Sequence, residues 1–145
     1  MIDVAHLPDL VPLVLGKPFT FRGRSPEVGF DCLGLVLWVY EQLGRPILGV
    51  EEPDNYPEEW WNLRPQLFID GIRKHATYLP RVISVRPGDI LCFSFGAPVV
   101  THVGVVIQGD HFLHSFMGRG VMYSRMSQAY WRGQLCGLAR LLKET

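Results

Sequence analysis

The order of hydrophobic and polar positions differs between the two halves of the 145-residue chain. In the first half, residues 32–43 are apolar on nearly every side, which is typical of a buried helix. Asp31 before this run predicts an N-cap, because its carboxylate can accept backbone N–H groups of the first turn, and Gly44 predicts the end. Bounding prolines and glycines predict two more helices, over residues 7–16 and residues 66–78.

In the second half, short runs of β-branched and aromatic residues alternate with turn residues. They predict five strands, over residues 90–95, 102–107, 112–116, 121–125 and 135–142. Residues 17–29 contain two prolines and two glycines and are predicted to form a loop. Helices followed by a meandering antiparallel sheet predict an α+β fold, and the length predicts a single domain over residues 1–145.

Composition narrows the range of partners. The 14 basic and 14 acidic side chains cancel, and no block of lysine and arginine occurs along the chain. Neither nucleic acid nor an anionic membrane surface is therefore expected as a partner. No apolar run approaches the roughly 20 residues of a membrane span, and acidic residues and prolines interrupt the apolar N-terminal stretch. A membrane segment and a secretory signal are therefore not predicted.

The three cysteines are an odd number without paired spacing, so a disulfide framework is not predicted. Cys32 lies in the first turn of the predicted buried helix, where the positive end of the helix dipole favours a thiolate, the reactive form of a cysteine nucleophile. Packing is the alternative for Cys32, because cysteines in apolar surroundings are commonly small buried hydrophobes. Cys92 and Cys136 lie inside predicted strands, and packing is the simpler interpretation for both.

A cysteine nucleophile requires a base, and the base requires a partner that orients it. His102 opens one predicted strand, and His114 lies in the next strand, after a turn near Gly109. Counting from that turn places the two histidines about one diagonal step apart, close enough for the imidazoles to meet. His102 is therefore the candidate base and His114 its orienting partner, with Gly104 leaving space beside them. The remaining histidines, without such a companion, are His6, His75 and His111.

A zinc site is an alternative use of Cys32, His102 and His114. The chain contains none of the close Cys-x-x-Cys or His-x₃₋₅-His spacings that are typical of structural zinc sites. No metal and no other cofactor is therefore predicted.

The segment between the predicted nucleophile helix and the sheet is rich in aromatic residues, among them Tyr56, Trp60 and Trp61. Trp60 and Trp61 are candidate substrate-binding residues in a wall or lid of the substrate groove. Ordinary packing is the alternative, since aromatic side chains fill cores as readily as binding sites.

Four segments, in this order, resemble a known family: residues 30–36 (FDCLGLV), 86–93 (RPGDILCF), 102–107 (HVGVVI) and 111–115 (HFLHS). Together they are similar to the NlpC-type papain-like cysteine peptidases of bacterial cell walls, from about Pro18 to Ser115. The Arg-Ser-Pro-Glu segment before Cys32 is similar to bacteriophage tail-assembly members of that family.

The resemblance implies a papain-like fold with N-terminal helices packed on a C-terminal antiparallel sheet. It implies Cys32 as the catalytic nucleophile, His102 as the base and His114 as the third polar residue. The implied reaction is hydrolysis of an amide in the peptide stem of peptidoglycan. Phage tail proteins are implied as further partners, and the expected location is the cytoplasm or a virion.

The resemblance also implies substrate contacts at Phe19, Asp31 and Leu33, and two of these positions depart from the family. The family's Pro-Tyr-x-x-Gly-Gly segment appears here with Phe19 in place of tyrosine, and the serine that commonly follows the cysteine is Leu33. Losing one oxyanion donor lowers rates by about 10²–10³, so an altered pocket or weaker activity is expected. The alternatives are a tail-assembly scaffold that uses the same fold for binding, and an enzyme that transfers or deamidates amides.

Overall fold

A computed structural model describes residues 2–47, 76–82, 84–95 and 100–141. The elements, in chain order, are a 3₁₀ helix Val4–Leu10, α1 (Val11–Val14), β1 (Arg24–Ser25), β2 (Gly29–Phe30), α2 (Cys32–Gln42), β3 (Thr77–Leu79), β4 (Ile90–Phe93), β5 (His102–Gln108), β6 (His111–Phe116), β7 (Gly120–Arg125), α3 (Ala129–Gln134) and β8 (Leu135–Arg140). The predicted α+β fold class is confirmed.

Six strands form one antiparallel sheet in the order β3-β8-β4-β5-β6-β7, while β1 and β2 pair separately. Strands β4 to β7 are neighbours in chain order, as the predicted meander requires. β8 departs from a meander, because it returns across the sheet to pair with both β3 and β4. The predicted strands therefore occur, but β8, the last in the chain, lies inside the sheet between β3 and β4.

The sheet buries side chains on both faces. One face packs with α2 in a core that includes Ile90, Val103, Val105 and Leu113. The opposite face carries a second buried cluster of Leu91, Phe93, Val106, Phe112, Trp131 and Leu138, to which α3 contributes the tryptophan. Because successive residues of a strand point to opposite faces, strands that supply both clusters are apolar along most of their length.

The start of α2 is held tightly by the chain before it. As predicted, Asp31 is the N-cap, and its Oδ1 accepts a hydrogen bond of 2.7 Å from the backbone N–H of Gly34. Gly34 lies against the carbonyl group of Gly23, so that a Cβ atom at position 34 would be 1.9 Å from that oxygen. The helix is buried along most of its length, in agreement with its apolar pattern. Within the described residues, no helix is long and apolar enough to cross a membrane.

The turn before β4 joins α2 to the sheet. Asp89, which is 3% exposed, accepts hydrogen bonds from the backbone N–H of Arg86 at 2.8 Å and from Nη2 of Arg140 at 2.7 Å. The hydroxyl of Tyr40 in α2 donates to the carbonyl oxygen of Gly88. A buried carboxylate requires such partners, since an unpaired charge in apolar surroundings is strongly destabilising.

Some predicted boundaries differ from the structure. The helix predicted over residues 7–16 is a 3₁₀ helix with Pro8 inside it, followed by the short α1, because proline lacks the N–H that a continuous helix needs. The helix predicted over residues 66–78 is wrong at its end: Tyr78 lies in β3 and pairs with Ala139. Residues 66–75 lie outside the described residues. The sequence patterns predict neither α3 nor the β1–β2 pair.

Replacing Gly34 by alanine is expected to lower the free energy of unfolding by about 2–3 kcal/mol, because the added methyl group overlaps a backbone carbonyl that cannot simply rotate away. Gly133 in α3 is the matched control, since a Cβ atom there meets nothing within 4 Å. Gly133→Ala is expected to leave stability unchanged or raise it by up to about 1 kcal/mol. Urea unfolding of both variants tests the packing at the start of α2, and equal stabilities would contradict it.

Candidate active site

Neighbouring strands bring two predicted site residues together. His102 begins β5 and His114 lies in β6, and the register Val105 opposite Leu113 places the two histidines on a diagonal of the same sheet face. Nε2 of His102 lies 2.8 Å from Nδ1 of His114, a hydrogen-bond distance. The predicted contact between the two imidazoles is therefore observed. Gly104 makes room for it, because a Cβ atom there would lie 3.0 Å from Cβ of His114.

A serine that the sequence analysis missed extends this pair. Oγ of Ser124, in β7, lies 2.9 Å from Nε2 of His114. The register places Met122 opposite His114 and Ser124 opposite Phe112, so Ser124 is a diagonal neighbour on the same face. Counting residues from the turn between β6 and β7 would have found it, since the spacing of alternate residues gives the face.

Aromatic rings surround both imidazoles. The ring of His102 lies 5.6 Å from that of Phe93 and 5.2 Å from that of Phe116, and the ring of His114 lies 4.6 Å from that of Trp131. His102 is 5% exposed and His114 is fully buried. The two histidines therefore lie in a region that excludes most water.

This environment fixes the charge of the pair. Burial lowers the pKa of His114 from 6.5 to about 3. The pKa of His102 is held well below 6.5, first by burial and then by the neighbouring His114. Burial lowers the pKa because a cation loses its hydration on entering an apolar region. The neighbouring His114 lowers the pKa of His102 further, because two positive charges repel each other. Both imidazoles are therefore neutral near pH 7.

Cys32 approaches the histidine pair from the α2 side of the sheet. It is the first residue of α2, is 6% exposed, and packs in the core between helix and sheet. Among the groups that favour its thiolate is the backbone N–H of Val103. The sulfur therefore lies beside the peptide bond that joins His102 to Val103, at the start of β5.

The thiolate expected at the helix start does not agree with the structure. Burial, and then the charge of Asp31, raise the pKa of Cys32 from 9.0 to about 12, against the backbone N–H groups of Val103, Leu33 and Cys32. This pKa means that ionising the thiol costs about 4 kcal/mol more than in water. A helix N-terminus typically returns about 1 kcal/mol or less, so burial dominates and the thiol is neutral at rest.

These protonation states leave one nitrogen for the thiol. Nε2 of His102 is engaged by His114, and among the described residues no hydrogen bond occupies Nδ1. No hydrogen bond joins the Cys32 thiol to His102 in this part of the chain, and such contacts often tighten only when substrate binds. Nδ1 is therefore the ring nitrogen of His102 that His114 does not engage.

Strand β6 positions the nucleophile as well as the histidine pair. Oγ of Ser115, next to His114 but on the opposite face, donates a hydrogen bond of 2.7 Å to the carbonyl oxygen of Phe30. Phe30 lies two residues before Cys32. One strand therefore holds both His114 and the chain that leads into Cys32.

Two residues expected to contact substrate have structural contacts in the described part of the chain. Leu33 is 3% exposed and packs in the core with α2, so it presents almost no surface. Asp31 is 4% exposed; besides capping α2, it accepts hydrogen bonds from the backbone N–H of Arg22 at 2.9 Å and from Nη1 of Arg24 at 3.1 Å. Leu33 therefore serves core packing and Asp31 helix capping, and substrate contacts at these two positions stay predictions.

The other predicted substrate residues have different outcomes. Phe19 is partly exposed and forms an isolated bridge with Phe30, which lies two residues before Cys32. Trp60 and Trp61 lie outside the described residues, as do Tyr56 and His75. Their roles stay predictions.

The zinc alternative finds no support in the described ranges. No group of three or more histidine, cysteine or acidic side chains there is arranged to hold a metal ion. The nitrogens of His102 and His114 that face each other are joined by a hydrogen bond, so these two atoms cannot both ligate one ion. Of the histidines set aside from the sequence, His6 is exposed and bonds Asp3, and His111 stacks on Tyr123 at 5.1 Å.

Comparison with known proteins agrees with this architecture. Residues 16–140 match the sequence profile described as the NlpC/P60 family. The chain belongs to the NlpC/P60 family. The resemblance drawn from the four sequence segments is thereby confirmed.

Relatives in the NlpC/P60 family share most of this chain. The probable endopeptidase of Haemophilus influenzae is 40% identical over 120 residues, covering 80% of this chain and 61% of that protein. The murein DD-endopeptidase MepH of Escherichia coli is 28% identical over 130 residues, covering 88% of this chain and 42% of that protein. A solved structure of a lipoprotein-like NLP/P60 family member from Staphylococcus aureus is similar with a TM-score of 0.64 and 26% identity, over 97% of this chain and 42% of that chain. The chain spans less than half the length of several curated relatives that it matches.

The buried histidines predict a loss of stability in mild acid. In the unfolded chain each imidazole takes up a proton near pH 6.5, whereas in the folded protein His114 does so near pH 3 and His102 well below 6.5. The free energy of unfolding is therefore highest above pH 6.5, and it falls as the pH is lowered below that value. Between pH 7.5 and 5.5 His114 is expected to remove about 1.4 kcal/mol from the free energy of unfolding, and His102 adds to this loss.

Urea unfolding at pH 7.5 and at pH 5.5 measures this loss. His6→Gln is the control, because His6 is exposed, and it is expected to retain most of the dependence. A free energy of unfolding that is the same at both pH values would contradict the neutral, buried state of the pair.

Proposed function

We propose that the chain is a cysteine peptidase that hydrolyses an amide bond in the peptide stem of peptidoglycan. The observation that carries this proposal is a buried thiol beside the His102–Val103 peptide, with His102 in turn bonded to a second buried imidazole. Membership of the NlpC/P60 family and similarity to a protein named a murein DD-endopeptidase support the choice of substrate.

In the proposed first step, the sulfur of Cys32 attacks the carbonyl carbon of the scissile amide. The C–S bond forms while the thiol proton passes to Nδ1 of His102, so the base acts on a neutral thiol and no thiolate is needed at rest. The carbonyl oxygen becomes an oxyanion near the start of α2, where the backbone N–H of Cys32 supplies a donor.

The proposed second step breaks the C–N bond. His102 returns its proton to the nitrogen of the leaving amine, which departs and leaves a thioester on Cys32. Water then attacks the thioester carbon while Nδ1 of His102 takes one of its protons. The C–S bond breaks, the acid product leaves, and the sulfur regains its proton from His102.

The role proposed for His114 is to hold the imidazole of His102 in place. Accepting a proton turns His102 into a cation in apolar surroundings, which is unfavourable unless the new charge is hydrogen-bonded. Nδ1 of His114 is 2.8 Å away and can accept the hydrogen of Nε2. A neutral acceptor suits this role, because a second cation there would repel the first.

The alternatives are a tail-assembly scaffold and an enzyme that transfers or deamidates amides. The scaffold gains little support from the site, because a binding role alone gives no reason to bury two imidazoles and a serine hydroxyl in a bonded row. Phage tail partners, and a location in the cytoplasm or on a virion, stay predictions.

Replacing Cys32 by alanine is expected to lower the rate of stem-peptide hydrolysis by at least about 10³-fold, because the covalent route disappears. Cys92→Ala is the matched control. Cys92 is also a buried thiol, but it lies in β4 and has no part in the proposed reaction. Its replacement is expected to lower the free energy of unfolding, while kcat stays within about threefold of wild type.

Mass spectrometry of defined muropeptides incubated with wild type and both variants provides the readout. Cleaved stems with wild type and with Cys92→Ala, but not with Cys32→Ala, are the expected result. Intact stems whose masses shift would favour amide transfer or deamidation. No change with wild-type protein would favour the scaffold.

A further inference from the structure

We propose that Ser124 is a positioning residue: its hydroxyl accepts a hydrogen bond from Nε2 of His114 and thereby supports the direction of the hydrogen bonds in which Nδ1 of His102 can accept a proton. The inference deepens the proposed function and rests on it, because only a base at His102 makes that direction important. Nothing in the sequence motifs of the site includes this serine.

Three polar groups form a single row on one face of the sheet. Nε2 of His102 lies 2.8 Å from Nδ1 of His114, and Nε2 of His114 lies 2.9 Å from Oγ of Ser124. His114 thus uses one ring nitrogen toward His102 and the other toward Ser124. At the other end of the row, Nδ1 of His102 has no hydrogen bond among the described residues. Ser124 lies at the opposite end of the row from Nδ1 of His102. It is only 6% exposed, although β7 is an edge strand of the sheet.

Neutral imidazoles allow this row two states, since each ring carries one hydrogen. In the first state, Nε2 of His102 donates to Nδ1 of His114, and Nε2 of His114 donates to Oγ of Ser124. In the second state every bond is reversed: the hydroxyl of Ser124 donates to His114, and Nδ1 of His114 donates to His102. The second state puts the only hydrogen of His102 on Nδ1, where it blocks transfer from the thiol.

The proposed reaction selects the first state. When His102 accepts the thiol proton, both of its nitrogens carry hydrogen, so Nε2 can only donate and Nδ1 of His114 must accept. His114 then carries its hydrogen on Nε2 and needs an acceptor there, which is Oγ of Ser124. The hydroxyl is therefore worth more in the transition state than at rest, and such differences raise kcat rather than lower KM.

No other described group can replace Ser124 at this position. His114 is fully buried, and the rings of Phe112 and Trp131 lie 4.5 Å and 4.6 Å from its own. Among the described residues, Nε2 of His114 makes its only hydrogen bond with Oγ of Ser124. Without the hydroxyl, Nε2 of His114 has no hydrogen-bond partner among the described residues, and a buried N–H that is left unpaired is costly.

The test combines Ser124→Ala with imidazole ¹⁵N NMR and steady-state kinetics on the full chain. In wild type, His102 and His114 are both expected to carry hydrogen on Nε2 at pH 7.5. In Ser124→Ala, the signals are expected to show hydrogen on Nδ1 in a substantial fraction of both rings. With a defined stem peptide, kcat is expected to fall about tenfold while KM stays within about twofold.

Two further variants separate this role from a general effect on folding. Ser124→Thr keeps the hydroxyl and is expected to restore the wild-type ring signals and most of kcat. Ser115→Ala also removes a buried hydroxyl, from the neighbouring strand, but one that bonds Phe30 rather than a histidine. Its ring signals are expected to match those of wild type, whatever its stability.

Several outcomes would overturn the assignment. Wild-type rings with hydrogen on Nδ1 of His114 would overturn it directly, and this spectrum requires no variant to fold. A fall in kcat for Ser124→Ala with unchanged ring signals would reduce the serine to a packing role. Failure of wild type to cleave any stem peptide, with ring signals as expected, would instead overturn the proposed function and leave the hydrogen-bond direction established.

Discussion

The hydrogen bond between Nε2 of His102 and Nδ1 of His114 is the interaction on which the candidate site depends. It forms on a sheet face that aromatic rings shield from water. Both imidazoles are therefore neutral at rest. A neutral base cannot hold a thiolate beside it as an ion pair. The proposed reaction therefore begins from a neutral thiol and a neutral imidazole, and charge appears only while it proceeds.

Cys32 and His102, the two groups to which the proposed function assigns the reaction, lie on different sides of the sheet. Cys32 is carried by α2 and packs in the helix-side core, whereas His102 belongs to the face with the aromatic cluster. They come close at the first residues of β5, where the sulfur is near the amide of Val103. Strand β6 contacts both groups, because His114 and Ser115 are adjacent in the chain and point to opposite faces of the sheet. His114 bonds His102, and Ser115 bonds the chain before Cys32. Displacing this strand would disturb the nucleophile and the base together.

Much of this arrangement could be predicted from local patterns. The cap at Asp31 and the meeting of His102 with His114 follow from residue types and from counting along two strands joined by a short turn. Ser124 was missed because serine in a strand is ordinary, and only the pairing with β6 gives it a partner. The high pKa of the thiol could not be predicted either: it depends on how completely α2 and the sheet bury Cys32, and sequence position gives only the weaker contribution of the helix dipole.

The pH dependence of alkylation at Cys32 tests the neutral resting state most directly. Iodoacetamide labelling of native protein from pH 6 to pH 10, resolved for each cysteine by peptide mass spectrometry, gives the fraction of thiolate at that position. For a neutral resting thiol we expect slow labelling at pH 7 and a rate that rises about tenfold for each increase of one pH unit, without a plateau in this range. A rate that is already constant between pH 6 and pH 8 would mean a stable thiolate paired with protonated His102, and would contradict the account.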